Sequence, residues 1–135
     1  MEIKKVVVIG SGTMGSGIAA HLCNANIPVI LLDLKTEIAE KAKERILKSR
    51  PPLLFEQSRI NSLKTGNISD DFDNVSDADW IIEAVVERID IKHQIYDKIF
   101  KKRKKGSVVS SNTSTIPLKI LSQKLSITDK KDFCI

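Results

Sequence analysis

The chain has 135 residues, 41% of them hydrophobic and 29% charged, which reads as one soluble globular domain with a real core. No apolar run approaches the roughly 20 residues of a membrane-spanning helix, and the opening Met1-Glu2-Ile3-Lys4-Lys5 lacks the pattern of a secretory signal. The net charge of +5 raises nucleic acid as a partner, while the two cysteines, Cys23 and Cys134, offer neither metal nor redox spacing, so a cytoplasmic protein is expected.

In chain order, residues 4–9 read as a buried strand and residues 14–26 as a helix with Ile18, Leu22 and Cys23 on one face. Pro28 ends that helix, and 29–32 is a second strand. Thr36 is the expected cap of a second helix, whose Ile38, Ala42 and Ile46 repeat against a charged face until Pro51-Pro52 stops it. Residues 53–64 look weakly helical, and Thr65-Gly66-Asn67 and Ser69-Asp70-Asp71 read as turns. A short strand is expected at 73–75 and a better one at 80–86. A helix follows over 90–104, with Ile91, Ile95 and Ile99 in register, then a strand at 107–110, a short helix at 117–123 and the start of a strand at 133–135. Strands alternating with helices imply an α/β fold, a Rossmann-type doubly wound parallel sheet forming a single domain over 1–135, expected to be cut short at its last strand.

Lys101-Lys102-Arg103-Lys104-Lys105 supplies much of the positive charge. It sits where a helix ends, with Gly106 as the expected C-cap, and cations suit that end of the dipole. Without interleaved aromatics or a recognisable nucleic-acid module, a solvated helix terminus is the better reading, and neither nucleic acid nor membrane is expected as a partner.

The stretch with most chemical content is Val8-Ile9-Gly10-Ser11-Gly12-Thr13-Met14-Gly15. This is G-x-G-x-x-G between a strand and a helix, and an acid, Asp33, closes the second strand roughly 18 positions beyond Gly15. Gly10 permits the turn, Gly12 lets a pyrophosphate approach the backbone, and Gly15 allows close packing of helix on strand. The helix start offers N–H groups and the positive end of the dipole to phosphates, and Asp33 can accept both hydroxyls of a ribose. The implied cofactor is a dinucleotide.

In such a sheet, ligands bind beyond the strand C-termini at the point where winding reverses. That rule selects the glycine loop, Asp33, residues 84–87 and residues 110–114 for one crevice. Ser111-Asn112-Thr113-Ser114 could orient a nicotinamide or a substrate oxygen, or simply cap a loop; its place at the crevice favours function. Glu83 and Glu87 raise the idea of a carboxylate pair, but positions four apart across a strand end need not face each other, so at least one is expected to be a solvated or structural acid. Lys92 is expected to pair with Glu87 and position it. His21 and His93 reach no strand C-terminus, so both read as surface residues.

The glycine loop, Leu31-Leu32-Asp33, Ala78-Asp79-Trp80-Ile81-Ile82-Glu83-Ala84-Val85-Val86-Glu87 and Ser111-Asn112-Thr113-Ser114, in that order, resemble the NAD-binding domain of the L-3-hydroxyacyl-CoA dehydrogenases of fatty-acid β-oxidation. The resemblance covers nearly the whole chain. It implies an NAD-dependent oxidoreductase that takes hydride from the 3-hydroxyl of an acyl-CoA. It also implies roles for residues. Gly10, Gly12 and Gly15 would hold the pyrophosphate and Asp33 the adenosine ribose, with Ser11, Thr13 and Met14 of the same loop also binding the cofactor. Ala84, Glu87 and Lys92 would contact the cofactor, Asn112 would lie near cofactor and substrate, and Ser114 would hydrogen-bond the substrate oxygen; Asn112 and Ser114 are the catalytic candidates. No metal is implied.

The sequence also departs from that family. The family's general base is a histidine in a His-Phe-Phe-Asn-Pro segment, oriented by a later glutamate, and this sequence ends at Ile135, before any such segment. The helical C-terminal domain that completes the site and forms the homodimer is likewise absent, so the chain is expected to be a cofactor-binding fragment, inactive alone. Residues 51–74 are shorter than the CoA-contacting helical tail of the short family members, and no CoA-binding residue is assigned. Two other readings stand beside this one: a module that binds or senses NAD without catalysis, and another NAD-dependent β-hydroxyacid dehydrogenase.

Overall fold

Val6, Val7, Val8 and Ile9 are all fully buried and form β1 (Val6–Ile9), the strand on which both faces of the protein are built. The computed structural model describes every residue from Met1 to Ile135. Val6 and Val8 point into one apolar cluster, Val7 and Ile9 into another, as side chains alternate along a strand. A strand covered on both faces needs a continuous apolar run rather than an alternating one, and the first strand supplies it.

Around β1 lie α1 (Thr13–Asn24), β2 (Val29–Asp33), α2 (Thr36–Lys48), β3 (Leu63–Asn67), β4 (Trp80–Glu83), α3 (Ile89–Lys102), β5 (Val108–Ser111), two single-turn helices, α4 (Leu118–Leu121) and α5 (Ile127–Lys130), and β6 (Phe133–Cys134). The six strands pair in parallel in the order β3-β2-β1-β4-β5-β6. Winding reverses between β1 and β4, which fixes the crevice at their C-terminal ends. Ala19, Ala20 and Cys23 of α1 and Ala42 and Ile46 of α2 cover one face of the sheet; Ile95, Tyr96 and Ile99 of α3, with Leu121 and Phe133, cover the other. Small residues on α1 let it lie close to the strands. Cys23 is part of that core, and Cys134 is exposed.

The third strand is displaced from its expected place. It occupies Leu63–Asn67, where the sequence signalled a turn, and the expected strand at 73–75 is instead the middle of a 3-10 turn over Phe72–Asp77. An edge strand needs little apolar surface, and here only Leu63 and Gly66 are buried. A Cβ at Gly66 would lie 2.6 Å from the Asp71 carboxylate oxygen that accepts the Asn67 N–H at 2.8 Å, so a side chain there would displace Asp71. Phe72 and Val75, buried three residues apart, carry the 3-10 period rather than a strand period. The weak helical signal over 53–64 reduces to a 3-10 segment at Gln57–Ser62.

Smaller corrections follow the same logic. Thr36 is the first residue of α2 rather than its cap, and its hydroxyl accepts from the Asn67 amide at 3.0 Å. On α2 the buried face is Ala39, Ala42 and Ile46, while Ile38 turns outward. The strand expected over 80–86 ends at Glu83, where its neighbours Ile9 and Ser111 also end. Gly106 is not the cap of α3: Arg103 leaves the helix in extended conformation, and Gly106 takes φ +83° in the turn into β5.

The lysine-arginine run is dispersed among carboxylates. Lys101 pairs with Asp97, Lys102 with Asp73 and Lys104 with Asp79. Arg103 is nearly buried against Asp129 and Asp132, at 3.2 and 2.8 Å, and stacks 4.7 Å from the Phe100 ring centroid. The run thus ties α3 to its neighbours at the end of the sheet opposite the crevice, and Lys104 holds the Asp79 carboxyl down at about 2. No helix is long and apolar enough to cross a membrane.

Candidate functional site

The loop from β1 to α1 is shaped by two glycines that the packing demands and one that it does not. Gly10 has φ +103°, and a Cβ on it would lie 2.4 Å from the Ala84 carbonyl oxygen. A Cβ on Gly15 would lie 1.8 Å from the Gly10 carbonyl oxygen. These two positions hold the loop against β4 and the helix against the loop. Gly12 differs: nothing lies within 4 Å of the place its Cβ would take. It is exposed, stands at the N-cap of α1, and no side chain caps that helix. Backbone N–H groups at the positive end of a twelve-residue helix therefore open onto free space.

Asp33, at the end of β2, is drawn towards this loop. Its Oδ2 accepts the Ser11 N–H at 2.7 Å and the Ser11 hydroxyl at 2.5 Å, and its Oδ1 accepts the Leu34 N–H at 2.7 Å. In the next peptide of the loop, the Ser11 carbonyl accepts from the Ser16 hydroxyl at 2.8 Å and from Arg45 at 2.9 Å. The acid and the glycine loop are thus one hydrogen-bonded unit, whose carboxylate orientation is set before any ligand arrives.

The other end of the crevice rests on a buried carboxylate. Glu83 lies between Ile9 and Ser111 in register and is fully buried. Its Oε1 accepts Lys92 Nζ at 2.7 Å and the Val85 N–H at 2.8 Å; its Oε2 accepts Tyr96 OH at 2.7 Å and Ser111 Oγ at 2.6 Å. Four donors meet the four lone-pair sites of a carboxylate. Lys92, also fully buried, reaches on to Glu87 Oε1 at 3.0 Å. Glu87 Oε2 accepts the hydroxyls of Thr113 at 2.7 Å and Thr115 at 2.8 Å. The Thr113 bond foremost, then those from Lys92 and Thr115, hold the Glu87 carboxyl down at about 2 despite some desolvation. Burial pushes the Tyr96 phenol well above its ordinary value, which keeps it a donor. No buried side-chain nitrogen or oxygen in the protein lacks a partner, the condition under which buried charge is tolerated.

Between these two ends runs a cleft of about 540 Å³ lined by Gly12, Thr13, Met14, Ala84–Glu87 and Asn112–Ser114. The structure therefore brings together most residues that the crevice rule selected. Asp33 borders the loop through Ser11, Gly10 and Gly15 lie beneath it, and Lys92 lies under Glu87. The histidines are elsewhere: His21 is exposed on α1, and His93 Nε2 lies 2.9 Å from the Ile120 carbonyl on the α3 side. No cluster of three or more potential metal ligands exists.

Glu83 as the hub, with Tyr96 and Ser111 as its donors, was missed by the sequence reading. A signal was present. Lys92 shares its helix face with Ile95, Tyr96 and Ile99, and a lysine within a buried apolar stripe requires an acid nearby.

Comparison with known proteins gives four findings. The family model described as "3-hydroxyacyl-CoA dehydrogenase, NAD binding domain" matches residues 5–135. The chain is 42% identical to a Deinococcus radiodurans protein named "Probable 3-hydroxyacyl-CoA dehydrogenase", over 87% of this chain and 36% of that protein. It is 38% identical to an Arabidopsis thaliana peroxisomal fatty acid beta-oxidation multifunctional protein, over 95% of this chain and 18% of that one. Among solved structures, 3-hydroxybutyryl-CoA dehydrogenase from Escherichia coli superposes with a TM-score of 0.85 at 26% identity, over 98% of this chain and 29% of that one. The chain thus spans about a third or less of the length of each of these relatives.

Proposed function

Since the chain belongs to the 3-hydroxyacyl-CoA dehydrogenase family, as its NAD-binding domain, we propose that it is the cofactor half of an enzyme that moves hydride from an L-3-hydroxyacyl-CoA to NAD in fatty-acid β-oxidation. The observation that carries this reading is the open space over Gly12 at an uncapped helix N-terminus, in the same cleft as Asn112 and Ser114. A pyrophosphate fits there because bare backbone N–H groups face it and no Cβ intervenes. The bound nicotinamide supplies the hydride acceptor.

The chain's own residues bind and orient. Gly12, Thr13 and Met14 present the loop and helix start to the phosphates, with Gly10 and Gly15 fixing the backbone and Ser11 holding Asp33. Asp33 accepts the adenosine ribose hydroxyls, one at the open site on Oδ1 and one in place of the Ser11 hydroxyl on Oδ2. Ala84 and Glu87 flank the nicotinamide end, Lys92 acts there through Glu87, and Asn112 and Ser114 orient the substrate oxygen. Neither His21 nor His93 lies where it could take the hydroxyl proton, so this chain by itself binds cofactor without useful turnover. The complete protein acts on an acyl-CoA thioester as a cytoplasmic homodimer, with no nucleic-acid or membrane partner.

Calorimetric titration of the chain with NADH and NADPH tests the cofactor reading. Asp33 should repel a 2′-phosphate, so NADH is preferred. Asp33→Ala should weaken NADH by about 10- to 100-fold, the loss of a charge-assisted hydrogen bond. Equal affinity of the unaltered chain for NADPH refutes the assignment of Asp33.

A further inference from the structure

Thr113 and Thr115 stand two residues apart, and both hydroxyls donate to one oxygen, Glu87 Oε2. Asn112 lies between Ser111, held by Glu83, and Thr113, held by Glu87, and Ser114 lies between the two anchored threonines, so each is fixed from both sides. Asn112 and Ser114 line the cleft together with Thr113 and Glu87. We infer that Thr113 and Thr115 are positioning residues, which lock the 112–115 segment to Glu87 and so hold Asn112 and Ser114 at the nicotinamide end.

The anchor is itself fixed from within. The other Glu87 oxygen is held by Lys92, which is buried and held by Glu83, and Glu83 is held by Tyr96 and Ser111. Ser111 opens the same segment, and the Asn112 N–H donates to the Glu83 carbonyl at 2.7 Å. The segment is thus tied to the Glu83–Glu87 stretch at its start, through Ser111 and Asn112, and again through the two threonines. The β-branched threonine side chain has few χ1 states, so each hydroxyl that meets Glu87 transmits its position to the backbone. Thr113 Oγ1 also accepts the Ile116 N–H at 3.2 Å, so the hydroxyl that reaches Glu87 closes the turn of its own segment as well.

The inference rests on the cofactor reading above, and two ligands keep the two apart. ADP-ribose reports on the glycine loop and Asp33 alone; NADH adds the nicotinamide end. Titrations of the full chain with both ligands are compared for the unaltered protein, Thr113→Val, Thr115→Val, the double valine variant and the double serine variant. NADH affinity should fall about fivefold in each single variant and about 20-fold in the double valine variant, the scale of one and two lost hydrogen bonds. ADP-ribose affinity should stay within about twofold, and serine at both positions should restore NADH binding, because the hydroxyls return without the methyl groups. A double valine variant that binds NADH as the unaltered chain does overturns the inference. Parallel loss of NADH and ADP-ribose also overturns it, since that marks a general structural role. An unaltered chain that binds neither ligand overturns the cofactor reading and the inference with it.

Discussion

Two carboxylates flank the crevice, and they are held in opposite ways. Asp33 is fixed by its surroundings in the chain: two backbone N–H groups and one hydroxyl, all from the glycine loop or the next residue. Glu87 is fixed by side chains from α3 and from the segment after β5, and behind them lies a fully buried ion pair. The first arrangement is mostly backbone, so removing one side chain strands no buried charge. The second concentrates charge in the core, where the loss of one partner strands another. One end of the crevice therefore tolerates the loss of a side chain in stability and is sensitive in binding; the other is sensitive in both.

The sharpest way to break this contrast is Lys92→Met. It leaves Glu83 buried with one charged partner gone, which costs about 3–5 kcal/mol for an uncompensated buried charge. Guanidinium unfolding monitored by circular dichroism reads this directly. A loss below 1 kcal/mol would mean that water or Tyr96 and Ser111 suffice for Glu83, and the two ends would then not differ in kind.

Within the glycine loop itself a second contrast should appear. Gly10→Ala meets both the positive φ and the Ala84 carbonyl oxygen at 2.4 Å, so it should destabilise by about 2–4 kcal/mol. Gly12→Ala meets nothing within 4 Å and should cost about 1 kcal/mol or less, the penalty of alanine at a helix N-cap. Its effect should fall on NADH, with about a tenfold or greater loss where the Cβ occupies the phosphate position. Thermal unfolding and titration of the same two proteins separate the outcomes. If Gly12→Ala binds NADH normally, the phosphates do not lie over Gly12.

The same division explains what the sequence made readable. The Asp33 end is local: a strand, three glycines and an acid at a known offset, whose spacing alone states the geometry. The central strands were readable because burial on both faces leaves an unbroken apolar run such as Val6–Ile9. The edge strand at Leu63–Asn67 was not, because it buries only Leu63 and Gly66, and its glycine serves Asp71 rather than a turn. The Glu83 hub was hidden for another reason. The Val85 N–H is local to it, but Lys92 and Tyr96 arrive with α3 and Ser111 with β5, so the hub is complete only when α3 packs on the paired strands. The pairing of Lys92 with Glu87 was legible because the two lie five residues apart; the convergence on Glu83 needed the fold.

Acid provides the gentlest test of the Glu87 end. The Glu87 carboxyl is held down from 4.5 to about 2, first by the Thr113 hydroxyl and then by Lys92 and Thr115. A carboxyl whose folded value lies below its unfolded one adds stability that is complete above the unfolded value and is lost as pH falls through the folded one. The Glu87 contribution should therefore be full above about pH 4.5 and vanish by about pH 2. Asp79, lowered from 3.8 to about 2 chiefly by Lys104, adds a loss of the same sign over an overlapping range. Lys104→Met removes the largest part of that second contribution, leaving the Lys4 and Lys5 N–H bonds to Asp79, and leaves the first; Asp90, lowered by Arg88, adds a background loss of the same sign in every variant. Against that background, Thr113→Val should raise the Glu87 titration towards 4.5 and shrink the pH-dependent part of the stability, so that the variant is less stable at pH 7 and converges on the unaltered chain near pH 2. Side-chain carboxyl NMR shifts followed from pH 6 to pH 2 measure the titration, and unfolding free energies at the same pH values measure its consequence. A Glu87 titration unmoved by Thr113→Val would mean that Lys92 alone sets its charge, and that the threonines merely follow a carboxylate already fixed from the core.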